Sequence, residues 1–261
     1  MALPPAPIES ARAPAPPRGA DWLALPLGLV ALVALWAVVA RRIDVPYLLP
    51  TPADVFASLV TNADRIAWHA RYTLAEVLAG FGIGFALAAT GGYAVAHSRL
   101  LERLILPPVV ASQAVPIVAV APLLVYWFGA GMAVKVAAAA LIVFFPMLVS
   151  TVVGLRQIDP AFRELMLILS ASRWQTALHL EIPAALPVLL GGLRVGVTLS
   201  VIGAVVGEFL GSDRGLGSLV AVANGSFNDD LMFAALVTLV ALAMGLYGLA
   251  ALAERVLLAN R

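Results

Sequence analysis

The stretch ELMLILSASRWQTALHLEIPAALP, residues 164–187, separates two long apolar segments, residues 134–155 and 187–210. Each apolar segment is long enough to cross a hydrocarbon core of about 30 Å as a helix. The ionisable side chains of the stretch between them are Glu164, Arg173, His179 and Glu181. Because charges at membrane depth are costly, this stretch must lie outside the membrane, between two transmembrane helices.

The amino-acid composition is that of an integral membrane protein. Hydrophobic residues make up 62% of the 261 residues and charged residues 12%, whereas soluble domains contain about half apolar and about a quarter charged residues. The formal net charge of +1 offers no basic surface for nucleic acid, so that class of partner is excluded. The chain has no cysteine and its three histidines are far apart, so the sequence predicts no disulfide and no metal site.

Hydropathy predicts an all-α membrane bundle with six transmembrane helices, in a single domain that covers residues 21–261. The predicted spans are residues 22–40, 73–96, 104–128, 134–155, 187–210 and 231–258. Prolines interrupt the third span, which favours contact with protein or a cavity over contact with lipid. A short interfacial helix is expected to begin after Thr51, where a proline follows a capping residue.

The orientation is predicted from the amino terminus and from the distribution of positive charge. Residues 1–20 contain six prolines and are predicted to be a disordered cytosolic tail. A signal peptide was the alternative for residues 22–40, but the length of this segment favours a retained span. With the amino terminus inside, nine of the sixteen Lys and Arg residues lie in the cytosol, six lie outside and Arg194 lies within a span. Six spans therefore place both termini and the loop of residues 156–187 in the cytosol.

Two short helices are predicted in this loop. Asp159 followed by Pro160 is a helix start, with an N-cap acceptor before a proline at the first helical position. The helix that follows is apolar on both faces, which predicts that a partner protein covers one of them. Ser172 with Gln175 fits a capping box for the second helix. That second helix is expected to end near Ile182, where Pro183 and Pro187 stop it and start the fifth span.

Residues 164–187 resemble the EAA loop of the permease subunits of binding-protein-dependent ABC importers. Glu164 matches the glutamate of that pattern, Ala171 matches the alanine of its Gly-Ala pair, and Pro183 and Pro187 match its two late prolines. The chain departs from the pattern at Leu165 and Met166, where the family often has two alanines, and at Ser170, where it has glycine. If the glycine has a positive φ, the angle between the two short helices is expected to differ here.

The resemblance extends over residues 45–258, through stretches such as YLLPTPADV, SQAVPIVAVAPLLVYWFG and GEFLGSDRGLG. It implies the type I importer fold and a coupling helix that docks on separate ATPase subunits. The ATPase-coupling residues it implies are Glu164, Leu165, Met166, Leu169, Ser170, Ala171, Pro183 and Pro187.

The same resemblance implies the rest of a transport complex in a bacterial inner membrane. The partners would be two ATPase subunits, a second copy of the permease in a homodimer, and an extracytoplasmic binding protein. ATP would bind to the ATPase, and the permease itself would hold no cofactor. The implied cargo is a vitamin or vitamin precursor, such as riboflavin or a thiamine pyrimidine, with nitrate, taurine or alkylsulfonates as the alternatives.

A few polar side chains fall inside the predicted spans. Gln113 is expected either to contact cargo or to bridge helices, and Glu208 either to line the translocation path or to anchor a helix end. Glu76 is expected to be a solvated or paired residue near a helix end, and Arg194 to extend to the cytosolic interface.

Two other classes of membrane protein would show features that are not clear in this sequence. A secondary transporter would show inverted repeats or charged clusters at midplane, and a membrane enzyme would show a polar catalytic cluster. The sequence contains no phosphate-binding G-x-x-x-x-G-K-[ST] motif and no G-x-S-x-G or H-E-x-x-H motif. It therefore predicts a permease that does no covalent chemistry.

Overall fold

The computed structural model describes residues 21–43, 45, 48–210 and 212–259, with residues 21–25 described by their backbone alone. The disordered tail predicted for residues 1–20 lies outside the described residues. All regular secondary structure among the described residues is helical, which confirms the predicted all-α class. The helices are α1 (Asp21–Ile43), α2 (Pro52–Thr61), α3 (Ala63–Ala96), α4 (Arg99–Ser112), α5 (Ile117–Phe128), α6 (Met132–Arg156), α7 (Pro160–Ile168), α8 (Arg173–Thr176), α9 (Ile182–Phe209), α10 (Leu216–Gly225) and α11 (Asp229–Ala259).

The chain divides into two compact units, one up to Ala53 and one from Asp54 onward. The first unit contains α1, whose apolar part Pro26–Ile43 is long enough to cross a membrane. After α1, the indole nitrogen of Trp36 donates a hydrogen bond to the carbonyl of Pro50 at 3.1 Å. This bond ties the segment that follows α1 back to the helix.

The second unit contains the other membrane-spanning helices. α3, α6 and α11 each have the length and hydropathy of a span, and so does the continuous helical stretch Arg173–Phe209. α3 has 34 residues, about 50 Å at 1.5 Å per residue, so it extends well beyond a hydrocarbon core of about 30 Å. The sequence placed its start ten residues later, where the apolar part begins.

The predicted third span is a bent pair of helices. α4 and α5 meet at 103° across the short break of residues 113–116. Pro116 caps the start of α5 with φ of −61° and has no backbone N–H to continue α4. Pro107 and Pro108 lie within α4, so the break comes later than the first two prolines. With this pair counted as one span and α1 included, the described chain has up to six spans, as predicted.

α6 is the central helix of the second unit, and both α3 and α9 lie against it. A Cβ atom placed on Gly84 of α3 would stand 2.6 Å from the carbonyl oxygen of Ala140. A Cβ atom placed on Gly203 of α9 would stand 2.6 Å from the Cα of Ala139. The two glycines therefore let both helices approach the α6 backbone directly, as small residues do in membrane bundles.

Replacing Gly84 by alanine should destabilise the bundle, because the added methyl group meets the backbone of α6 rather than a side chain that can move. We expect Gly84→Ala to lower the free energy of unfolding by about 1–3 kcal/mol. Gly82 is the matched control, since a Cβ there has no neighbour within 4 Å. Gly82→Ala should be neutral or slightly stabilising. Thermal unfolding in detergent checks both variants, and equal melting temperatures would contradict the close approach of α3 to α6.

Candidate functional site

The first helix of the loop, α7, begins as the sequence predicts. The Asp159 carboxylate accepts a hydrogen bond from the backbone N–H of Ala161 at 2.9 Å, and Pro160 occupies the first helical position. The proline leaves no further N–H unsatisfied there. The Asp159 cap is thus confirmed.

α7 ends in a Schellman motif with serine at the left-handed position. Ser170 has φ of 51°. The N–H of Ala171 donates to the carbonyl of Met166 and the N–H of Ser170 to that of Leu167, both at 2.9 Å. These are the two hydrogen bonds of the motif, whose left-handed residue is usually glycine. Serine keeps the turn at a cost of about 1 kcal/mol.

The second helix begins as predicted but does not end as predicted. The Ser172 hydroxyl accepts from the backbone of Gln175, whose side-chain oxygen accepts from the N–H of Ser172 at 2.8 Å, so the capping box is confirmed. The end near Ile182 is wrong, because α8 continues through a π-helical turn, Ala177–Glu181, directly into α9.

The π-helical turn explains why Pro183 does not break the helix. The N–H of Ile182 donates to the carbonyl of Ala177, five residues back. Pro183 has no N–H and would crowd the carbonyl four residues before it in a regular helix. A wider turn just before Pro183 relieves that crowding. Pro183 therefore lies in the first turn of α9 and Pro187 lies within α9.

The loop presents a large apolar surface, which we call the α7 surface. No residue of α7 is buried. The α7 surface consists of Phe162, Leu165, Leu167, Ile168, Leu169 and Trp174, whose exposed fractions lie between 48% and 79%. Of the predicted coupling residues, Glu164, Leu165, Leu169, Ser170 and Pro187 are exposed, whereas Met166, Ala171 and Pro183 are half-buried. The structure thus brings the residues of α7 together at one end of the unit.

The opposite end, where α10 lies, holds Glu208 in a buried network. Glu208 is 1% exposed. One carboxylate oxygen accepts from the hydroxyl of Thr73 at 2.6 Å, and the other accepts from the N–H of Gly217. The Thr73 hydroxyl accepts in turn from the N–H of Leu216 at 2.8 Å. Glu208 therefore ties the start of α10 to α3, and this geometry favours the anchor over the path contact.

An ion pair lies beside this network. Lys135 donates to Glu76 at 2.6 Å, and the two residues are 5% and 0% exposed. Glu76 is paired, one of the two states expected of it, and it is not solvated. Sequence reasoning counted Lys135 among the six positive charges on the outer side, at the start of the fourth span, and missed this contact. The signal available was that Lys135 is the single lysine of the chain and follows directly on an apolar helix start.

Arg194 is also paired, with Glu254 of α11 at 2.6 Å. Its guanidinium lies 5.9 Å from the ring centre of Tyr247. The sequence predicted a structural role for Arg194, but it gave no partner, and the structure supplies one on another span.

Gln113 lies at a cavity of about 440 Å³ formed at the bend between α4 and α5. The side chains that line this cavity from the other helices include Ile142 and Phe145 of α6 and Leu199 of α9. Glu208 is not among the lining residues, so the structure does not bring the two path candidates together. Broken spans at cavities are where membrane transporters commonly hold cargo.

Residues 80–258 match the family of binding-protein-dependent transport system inner membrane components. The chain belongs to this family. It is a permease subunit of an ABC importer in the inner membrane, and the family performs transport rather than enzymatic chemistry.

Two curated relatives and one solved structure are similar to this permease. The riboflavin transport system permease protein of Chloroflexus aurantiacus is 44% identical over 91% of this chain and 90% of its own length. The formylaminopyrimidine transport permease protein of Halalkalibacterium halodurans is 37% identical over 71% of this chain and 75% of its own. The inward-facing MetNI methionine ABC transporter matches with a TM-score of 0.63 at 20% identity, over 71% of this chain and 92% of that one, which supports the fold alone.

Ser170→Gly should stabilise the turn between α7 and α8, because glycine adopts a positive φ without the cost that serine bears. We expect hydrogen exchange of the amides in residues 160–171 to slow by about fivefold, or about 1 kcal/mol. Ser170→Val should speed this exchange, because a β-branched residue is strained at a positive φ. Ser172→Gly is the control for the glycine itself: Ser172 has φ of −65° and caps α8, so glycine there relieves no strain and should not slow the exchange. A Ser170→Gly permease that exchanges no more slowly than the parent would contradict the assigned cost.

Proposed function

We propose that the permease carries a vitamin or vitamin precursor, with riboflavin as the best candidate, driven by ATP that binds to a separate ATPase. The main support for this cargo is the 44% identity to the riboflavin permease over nine-tenths of both chains. The formylaminopyrimidine permease, whose name also specifies a heteroaromatic ring compound as cargo, supports the same class.

The cavity at Gln113 fits a neutral ring better than a small anion. Its polar side chains are Ser112 and Gln113, and its other described lining residues, among them Phe145, are apolar. Apolar walls with a few convergent polar groups are typical of sites for organic ligands. Nitrate or a sulfonate would be costly to desolvate beside side chains that carry no positive charge.

The cargo is tested with the permease, its cognate ATPase and its cognate binding protein reconstituted in vesicles. Riboflavin-loaded binding protein should raise ATP hydrolysis by about tenfold over the empty binding protein, since loaded binding protein biases the complex toward the closed ATPase. Formylaminopyrimidine, taurine and nitrate are tested in parallel. Stimulation by taurine or nitrate with none by riboflavin would overturn the proposed cargo class.

The α7 surface is the part of the chain that we assign to the ATPase. An exposed apolar surface of six large side chains on a segment outside the membrane indicates a protein interface. Because ATP is cytosolic, this assignment places α7 in the cytosol, and six spans then place both termini there. The permease itself contributes no nucleotide site and no cofactor in this scheme.

A second permease copy completes the path. Gln113 and Val115 line the cavity and are also exposed on the protomer. A route for a polar cargo through lipid needs protein on every side, because unsatisfied polar groups are costly in hydrocarbon. A homodimer closes the open side with the same residues, and the binding protein delivers cargo at the end opposite α7.

Ile168→Asp should release the ATPase, because it places a charge in the centre of the proposed interface. Ile168 is 79% exposed, so the change leaves the fold of the permease intact. Buried in an interface, an unpaired carboxylate costs several kcal/mol, and we expect about a hundredfold less ATPase to co-purify. Ile168→Leu is the matched control and should retain it. An Ile168→Asp permease that still binds the ATPase at full stoichiometry would show that α7 is not the docking element.

A further inference from the structure

α7 is held to the rest of its unit by polar contacts rather than by packing. None of its residues is buried. Its Arg163 donates from Nη2 to the carbonyl of Leu155, near the end of α6, at 2.9 Å. The same guanidinium nitrogen lies 3.8 Å from a carboxylate oxygen of Glu181.

Two cavities lie beside Arg163. One has a volume of about 660 Å³ and the other of about 540 Å³, and His97, Arg163 and Leu167 line both of them. Close-packed interiors resist displacement, whereas a helix above open space is free to shift. The packing around α7 therefore leaves it room to shift relative to the bundle, and Arg163 lies between the two cavities.

Glu181 is the point at which three helices meet. It is 3% exposed, although the sequence predicts that its loop, residues 156–187, lies outside the membrane. One carboxylate oxygen accepts from the Tyr93 hydroxyl at 2.8 Å, and the other lies 2.9 Å from Nε2 of His97. Tyr93 belongs to α3, and His97 is the residue directly after the end of that helix. Together with Arg163, these contacts join α7 and α3 to the first residues of α9.

The backbone at Glu181 is suited to a change of register. Glu181 is the last residue of the π-helical turn, where hydrogen bonds span five residues instead of four. Such turns insert one extra residue into a helix and often mark functional sites or hinges. In the continuous helix Arg173–Phe209, the hydrogen-bond pattern departs from α-helical at Glu181. A force on the Glu181 side chain therefore acts at this irregular turn.

We infer that Glu181, held by Arg163 and His97, is the positioning residue that transmits movement of α7 to α3 and α9. The inference rests on the proposed docking of the α7 surface on the ATPase. An ATPase that displaces α7 carries Arg163 with it, and Glu181 follows because a buried carboxylate keeps its partners. Tyr93, His97 and the start of α9 then shift with Glu181.

The test uses Glu181→Gln in the reconstituted complex of permease, ATPase and binding protein. Glutamine keeps hydrogen bonds to Tyr93 and His97 but loses the charge that faces Arg163. We expect ATPase co-purification and basal hydrolysis to be retained, while the stimulation by loaded binding protein falls about tenfold. Glu102→Gln is the matched control, because Glu102 pairs with Arg156 at the same end of the unit without touching α7. In the Glu102→Gln complex, stimulation of ATP hydrolysis by loaded binding protein should stay at the parental level.

A double-mutant cycle separates transmission from a general loss of structure. Arg163→Ala and Glu181→Ala should each lose stimulation, and the double variant should lose no more than the worse single variant, since both act through one contact. Full stimulation in Glu181→Ala, or additive losses in the cycle, would overturn the inference. Loss of the ATPase from the Glu181→Gln complex would also overturn it, by assigning Glu181 to assembly. A failure of the docking proposal is distinguishable, since it appears in Ile168→Asp with Glu181 unchanged.

Discussion

The direct approach of α3 and α9 to the backbone of α6 is the constraint on which the rest of the second unit depends. Gly84 and Gly203 bring both helices against the adjacent residues Ala139 and Ala140. In a bilayer, lipid tails are as apolar as the helix surfaces, so close packing rather than expulsion of water holds such helices together. With two spans fixed on one central helix, the ends of all three are placed at defined positions. The polar clusters at both ends follow from that placement.

The two ends of the unit are built differently. At the α10 end, both carboxylate oxygens of Glu208 are occupied by donors from Thr73 and Gly217, and the Glu76–Lys135 pair is buried beside them. At the α7 end, the loop buries no α7 side chain and borders a cavity of about 660 Å³. A buried carboxylate with both oxygens bonded, as in Glu208, holds its neighbouring helices in place, whereas a helix attached through polar side chains is more easily displaced. The bonded Glu208 at one end and the sparse attachment of α7 at the other make α7 the element that we expect to move.

The features of the fold and of the loop that the sequence predicts are those set by residues close together in the chain. The Asp159 cap, the Ser172 capping box and the interrupted third span depend on residues within a few positions of each other, and all three are present as expected. The Lys135 pair and the Glu254 partner of Arg194 depend on contacts between different spans, which one sequence does not reveal. The π-helical turn was missed because Pro183 reads as a helix stop unless the widened backbone before it is seen. Ser170 was identified as a departure, and its positive φ shows that the turn is kept by strain rather than lost.

Transmission by an ion pair suits a helix that has to move. Apolar contacts are non-directional, so an apolar face can slide over its neighbour and leave that neighbour in place. Separating an ion pair inside the protein, by contrast, leaves a buried charge without its partner, which is costly. The Arg163–Glu181 ion pair links α7 to Glu181, whose other contacts are with Tyr93 and His97, while the apolar residues of α7 remain exposed for a partner. The chain therefore separates the two tasks by chemistry, with apolar residues available to hold the ATPase and charged residues available to carry its movement inward.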